Sequence, residues 1–186
     1  TTQPHGSFPV DLHLDPKQPN KIFGRSPVKY TNEGKGLCRW IGLDVDLKLE
    51  PKEACSKAWS VDTDIIPFRS TNGKWHYYKF LKDFIDVDRA RLIKDKLVEQ
   101  FNILGLKCDK DKCLPQGYNL KDKTPGNQLY LPRFYDGTIP YSPRGEPLTE
   151  SQFLFRLDNL KHPLISGSVG LVSGTGDTGG RQKVLF

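Results

Sequence analysis

The 186-residue sequence contains no methionine, not even at position 1, and so reads as a processed or excised piece of a longer protein. Its four cysteines, Cys38, Cys55, Cys108 and Cys113, are too few and too scattered for a disulfide scaffold at this length. No apolar run reaches the ~18 residues of a membrane-spanning helix, and no basic-then-apolar leader marks a secretory signal. Aromatics are not scarce: 10 Phe, 7 Tyr and 3 Trp within a 36% hydrophobic content exclude a disordered composition and supply a core. Charge of neither sign dominates. The balance of 28 Lys+Arg against 22 Asp+Glu, net +6, permits a polyanionic partner such as nucleic acid and is equally compatible with simple solubility.

Patterning divides the chain into three parts. Residues 1–36 are rich in Pro, Gly, Asn and Lys and read as an extended segment with a short strand over Phe8–Leu14. Residues 37–160 carry the periodic elements. Alternation over 37–47 predicts a strand with Leu37, Ile41, Leu43, Val45 and Leu47 on one face and Trp40, Gly42, Asp44 and Asp46 on the other. Pro51 opens a short helix over 51–60. Strands are expected at 65–69 and 74–81, joined by Ser70-Thr-Asn-Gly73. A longer helix over 87–103 takes Asp86 or Asp88 as its cap, buries Ile93, Leu97 and Phe101, and stops at Gly105. Short strands near 106–114 and at 127–134 follow, and the capping-box pattern Thr149-Glu-Ser-Gln152 opens a helix to about 160. Residues 161–186 turn to Gly, Ser and Thr and read as a linker toward a missing C-terminal region. The expected class is α+β, a single mixed or antiparallel sheet with helices packed on it.

Two constellations carry chemistry. Asp44 and Asp46 share one face of a strand flanked by apolar residues, on the order of 6.5–7 Å apart at the backbone. Carboxylates there need neutralisation, which solvent supplies or which a hard cation such as Mg²⁺ or Mn²⁺ supplies through oxygen ligands. Asp-x-Asp also fits nucleotide-sugar glycosyltransferases and many nucleases. The second constellation, Arg69-Ser-Thr-Asn-Gly-Lys-Trp-His76, brackets a glycine turn between Ser70 and His76. Turn amides, Lys74 and His76 suit a phosphate chain. An ordinary hairpin with its histidine among aromatics fits the same residues.

Acidic pair, helix, then turn and histidine-bearing strand, in that order, resembles the archaeo-eukaryotic primase superfamily, the primase-polymerases. Trp40-Ile-Gly-Leu-Asp-Val-Asp46 looks like the first motif of that family. Ser70 to His76 resembles the Ser-Gly-x-x-Gly-x-His form of its second motif, with Thr71 and Lys74 departing from it. Asp111-Lys-Cys-Leu-Pro115, Pro125-Gly-Asn-Gln-Leu-Tyr-Leu-Pro132-Arg-Phe and Tyr141-Ser-Pro-Arg-Gly-Glu-Pro-Leu resemble phage- and mobile-element-type members. The likeness covers roughly residues 37–155.

The resemblance implies an RRM-like catalytic core and a template-directed nucleotidyltransferase, a DNA primase or polymerase of DNA replication. It implies a single-stranded DNA template and NTP or dNTP substrates, with a helicase or C-terminal primase domain as partner in the whole protein. It also implies a cytoplasmic setting, that of the host cell if the protein is viral, and no membrane. By the same resemblance Asp44, Asp46 and Asp111 are catalytic and hold Mg²⁺ or Mn²⁺, with Asp109 the rival for the third acid. Ser70, Lys74 and His76, with Arg69 and Arg133, would bind the nucleotide. The alternatives are a non-catalytic nucleic-acid-binding module of the same fold and a DxD metal-dependent glycosyltransferase.

The remaining residues are given no special chemistry. Cys108 and Cys113 lack two further ligands for zinc nearby in sequence and are read as plain thiols. His5, His13 and His162 lie in loop-like sequence. The run Trp75-His-Tyr-Tyr78 is read as core, base stacking being the alternative. Arg89, Arg91, Lys94 and Lys96 are read as solvating an exposed helix face.

Overall fold

The computed structural model describes residues 24–25, 27–116, 129–130 and 138–160. In chain order the elements are β1 (Gly24–Arg25), β2 (Val28–Tyr30), β3 (Gly36–Val45), α1 (Pro51–Val61), β4 (Ile65–Arg69), β5 (Trp75–Asp86), α2 (Val87–Ile103), β6 (Leu129–Tyr130), β7 (Ile139–Pro140) and α3 (Glu150–Asp158). The class is α+β. An antiparallel five-stranded sheet runs β2-β3-β5-β4-β7, and β1 pairs with β6 in a separate two-stranded ladder. The sheet therefore starts before residue 37, at β2. The expected strand over Phe8–Leu14 and the linker over 161–186 lie outside the described residues.

Period-2 alternation sends the two faces of the sheet to different neighbours. Ile41, Leu43, Val45, Trp75 and Tyr77 point to α1 and α2. There they meet Ala54, Cys55 and Ala58 of the first helix and Leu97, Val98 and Phe101 of the second. Tyr77 and Phe101 meet edge to face at 5.0 Å. The other face carries Ile66, Phe68 and Tyr78 with half-buried Trp40 and Phe80, covered in part by Phe153 and Leu157 of α3. Trp75, Tyr77 and Tyr78 are buried, so this run is core packing.

The helix ends follow the local signals. Pro51 sits in the first turn of α1, where a missing N–H costs nothing. The Asp86 carboxylate accepts from the Asp88 and Arg89 amides, so β5 passes into α2 without a loop. Gly105 follows that helix at φ +75, a conformation glycine adopts without strain. Thr149 and Gln152 make the reciprocal capping box that starts α3. Gly145 (φ +81) lies so close to the first turn of α1 that a Cβ there would stand 2.6 Å from the Lys52 nitrogen. Lys94 departs from expectation: it is buried, with its ammonium 3.2 Å from Asp95 Oδ1.

The outer side of the sheet is shaped by proline. Pro67, within β4, lends its carbonyl to the Tyr141 amide at 2.8 Å on the side where it has no N–H of its own. Pro140 ends the two-residue β7 opposite Phe68.

Candidate functional site

The sheet register decides which candidates meet. β3 and β5 pair antiparallel with Asp44 directly opposite His76 and Val45 opposite Trp75. Cross-strand partners share a face, and His76 Nε2 lies 3.1 Å from Asp44 Oδ1. Both side chains are mostly enclosed, with 24% and 14% of their surface exposed. They lie on the same face as Tyr78, opposite the helices.

Asp46 is one step beyond the end of β3 and exposed. Lys74 Nζ stands 2.6 Å from its Oδ1, and Lys112 Nζ 2.6 Å from its Oδ2. Hydrogen bonds from Lys112 and then Lys74 hold the Asp46 carboxyl well below its ordinary range, at about 2. The same carboxylate pushes Lys112 up.

The Ser70–Lys74 turn consumes its own polar groups. The Ser70 amide donates to the Lys74 carbonyl at 2.8 Å, and the Lys74 amide donates to Ser70 Oγ at 3.1 Å. Gly73 takes φ +79 in that turn. Ser70 thus closes the hairpin, and His76 faces Phe68 and Asp44 across the sheet rather than returning to Ser70. Arg69 packs its guanidinium 5.9 Å from the Trp75 ring centroid. Arg133 lies outside the described residues.

The segment after α2 forms no regular strand over 106–114. Instead it makes isolated antiparallel bridges, Val45 with Cys108 and Gly42 with Leu114, and so straps along β3 on the side away from β5. The Gly42 and Leu114 amides and carbonyls exchange hydrogen bonds at 3.0 and 2.7 Å. Asn102, near the end of α2, fixes the start of the strap: its Oδ1 accepts from the Cys108 amide at 2.6 Å and its Nδ2 donates to the Cys108 carbonyl at 3.3 Å. Between the bridges a tight turn places the Asp111 amide on Asp109 Oδ1 at 3.0 Å.

The two rivals for third acid are thereby separated. Lys112, which holds Asp46, also lies 3.6 Å from Asp109 Oδ2. Asp109 is linked to the acidic pair through one lysine, whereas Asp111 points to solvent. Among the described residues no three His, Cys, Asp or Glu side chains converge as a metal-holding group, so Asp44, Asp46 and Asp111 are not gathered at one point. Two hard carboxylates, Asp44 and Asp46, remain two residues apart at the end of the strand. That set suits Mg²⁺, which is held in nucleotide sites by one or two carboxylates together with substrate phosphates and water.

All four described cysteines are free and buried. Cys108 and Cys113 sulfurs lie 3.3 Å apart, a thiol–thiol contact inside the strap. Burial pushes the Cys38 and Cys55 thiols up to about 12, which keeps them inert.

Lys112 was not singled out by sequence. It stands between two acids in a polar turn, and only the strap's docking on β3, a contact between distant segments, brings it to Asp46. No helix among the described residues is long and apolar enough to cross a membrane. No protein-family model matches the chain, and no curated protein matches it.

Proposed function

We propose that this chain is the catalytic domain of a template-directed nucleotidyltransferase of the primase-polymerase type, joining NTPs or dNTPs on single-stranded DNA with Mg²⁺ or Mn²⁺. The observation that carries this reading is the Asp44–His76 pair at 3.1 Å across β3 and β5. It joins a residue from each of the two motifs on which the family resemblance rests, as directly opposed partners in the β3–β5 register.

The roles follow from position. The Lys74 ammonium and the His76 ring lie on the same side as the two carboxylates; Lys74, and the ring nitrogen of His76 that is not turned to Asp44, would provide donors for triphosphate oxygens. Asp44 orients the His76 ring by accepting from Nε2. Asp46 keeps Lys74 and Lys112 at the site until phosphate takes them. A divalent ion held by Asp44 and Asp46 would neutralise phosphate charge and acidify the attacking hydroxyl. The chain's own contribution is positioning and charge complementarity, which dominate phosphoryl transfer.

The test is synthesis on a single-stranded DNA template with labelled NTPs and dNTPs and Mn²⁺. Wild type should give product, and Asp44→Ala should not. Absence of product from wild type at every template and nucleotide tried, with equal behaviour of the variant, would overturn the reading. A second reading, a nucleic-acid-binding module without catalysis, is favoured by one observation: both oxygens of Asp46 are already neutralised by Lys74 and Lys112. It expects DNA binding that is indifferent to Asp44→Ala and no synthesis.

A further inference from the structure

The β3–β5 register breaks once. Between the partners Cys38↔Ile85 and Trp40↔Phe80, β3 contributes only Arg39 while β5 contributes Leu81 to Phe84. A bulge of this kind re-aims side chains. Cys38 lies opposite Val28, and Val28 shares the α2 side of the sheet with Val87, both standing within 3.5 Å of where a Gly36 Cβ would be. Lys29, next along β2, therefore faces the other way. Ile41 is again on the helix side. The break thus turns Arg39 and Trp40 together onto the face away from α1 and α2, the face of Asp44 and His76.

What the bulge presents there is a large ring in solvent. Phe84 is 41% exposed. Lys29 Nζ lies 5.6 Å and Arg39 Cζ 5.4 Å from its ring centroid, and both cations are at the surface. An exposed aromatic ring with two cations near it matches one ligand chemistry: a base to stack on the ring and phosphates to draw the cations. Further along the same face come half-buried Trp40 and Phe80, then buried Gly42 opposite buried Tyr78, and then Asp44. Arg39 to Asp44 spans about 17 Å of strand.

We propose that Lys29, Arg39 and Phe84 form an outer anchor for a single strand of DNA, at the far end of the strand pair that carries Asp44 and His76. The inference rests on the proposed function for what the bound DNA serves, but not for the binding itself. Phe84 stacks on an unpaired base, so the anchor selects single strands over duplex. Lys29 and Arg39 leave the ring for neighbouring phosphates.

The experiment is fluorescence anisotropy of the full 186-residue chain with a labelled ten-nucleotide oligo-dT, titrated over a range of NaCl concentrations, each variant's fold being verified by circular dichroism. Phe84→Ala should weaken binding by roughly tenfold or more, the loss of one base stack. Phe84→Trp should restore it. Lys29→Ala with Arg39→Ala should flatten the slope of log K against log salt by about 1.4, two phosphate contacts on a single strand. Equal affinity of wild type and Phe84→Ala, or duplex bound as tightly as oligo-dT, overturns the proposal. The two readings fail separately. Synthesis by wild type with binding blind to Phe84 sinks the anchor alone. Binding that depends on Phe84, without synthesis, sinks the catalytic reading alone.

Discussion

Lys112 reaches Asp46 across a sequence separation of 66 residues and holds its Oδ2 at 2.6 Å. Lys74 holds the other oxygen, so the carboxylate is gripped from the hairpin on one side and from the strap on the other. The pair is half exposed and adds little to stability. Its effect is on charge state. Asp46 is depressed to about 2 from 3.8, so its stabilising contribution is complete above the unfolded value and is lost only as pH falls toward 2. Carboxyl NMR of the wild type should show an Asp46 midpoint near 2, and Lys112→Ala should move it up toward 3.8. An ordinary midpoint in the wild type would disprove the clamp.

Asp44 and His76 should separate in kinetics. Asp44→Asn keeps the size of the side chain and removes its charge, and nucleotide joining should fall by about 100-fold or more. His76→Ala should act mainly through a raised KM for the triphosphate, because the role proposed for its ring is to donate to phosphate. Steady-state kinetics at varied nucleotide checks both, and equal effects of the two changes on kcat alone would count against the assigned roles.

Gly145 should be intolerant of any side chain. A Cβ there meets the Lys52 nitrogen and Cα and the Pro51 carbonyl carbon at 2.6–2.8 Å, and φ is +81. Gly145→Ala should cost roughly 3 kcal/mol, measured by urea denaturation, while Gly34→Ala, with nothing within 4 Å, should cost only the strain of its positive φ.

The Lys79 side chain is 8% exposed, and its ammonium lies 2.6 Å from Asp62 at the end of α1. Asp64, at 3.9 Å, is a poorer partner. Asp62→Ala leaves the buried ammonium with that weaker contact and should cost about 3 kcal/mol. Lys79→Met combined with Asp62→Ala should recover part of the loss, which a double-mutant cycle by thermal melting would reveal.

Asn102 should matter for activity more than its exposed position suggests. Its side chain makes both hydrogen bonds that seat Cys108 beside Val45. Asn102→Ala should lower stability by about 1–2 kcal/mol and release Lys112 from Asp46, shifting the Asp46 midpoint upward in the same NMR titration.

Legibility followed the range of the interactions. The Thr149–Gln152 box and the Pro51 helix start are made by neighbours in sequence, and local residue order locates them; it narrows the cap of α2 to Asp86 or Asp88, and the structure has Asp86. The face shared by Asp44 and Asp46 likewise follows from alternation. The pairing of Asp44 with His76 depends on β3–β5 register, which the turn at Gly73 sets but residue counting does not. The strap was least legible. Cys108-Asp-Lys-Asp-Lys-Cys113 looks like a short strand with two equivalent acids. The structure instead makes a turn that aims Asp109 toward Lys112 and Asp111 outward, because bridges to Gly42 and Val45 secure only its two ends. Lys94 was misread for a related reason: helix periodicity places it by sequence, but the packing of α2 on the sheet decides whether it meets water.

The prolines at the outer side of the sheet bear on how the protein survives in a crowded solution. A strand edge with a full row of amide donors invites another chain to add to it. Pro67 removes a donor from the side of β4 that faces β7, and Pro140 stops β7 after two residues. A second copy approaching that side finds too few donors for a continuous ladder. On that side of the sheet, among the described residues, proline composition rather than a covering element blunts strand addition.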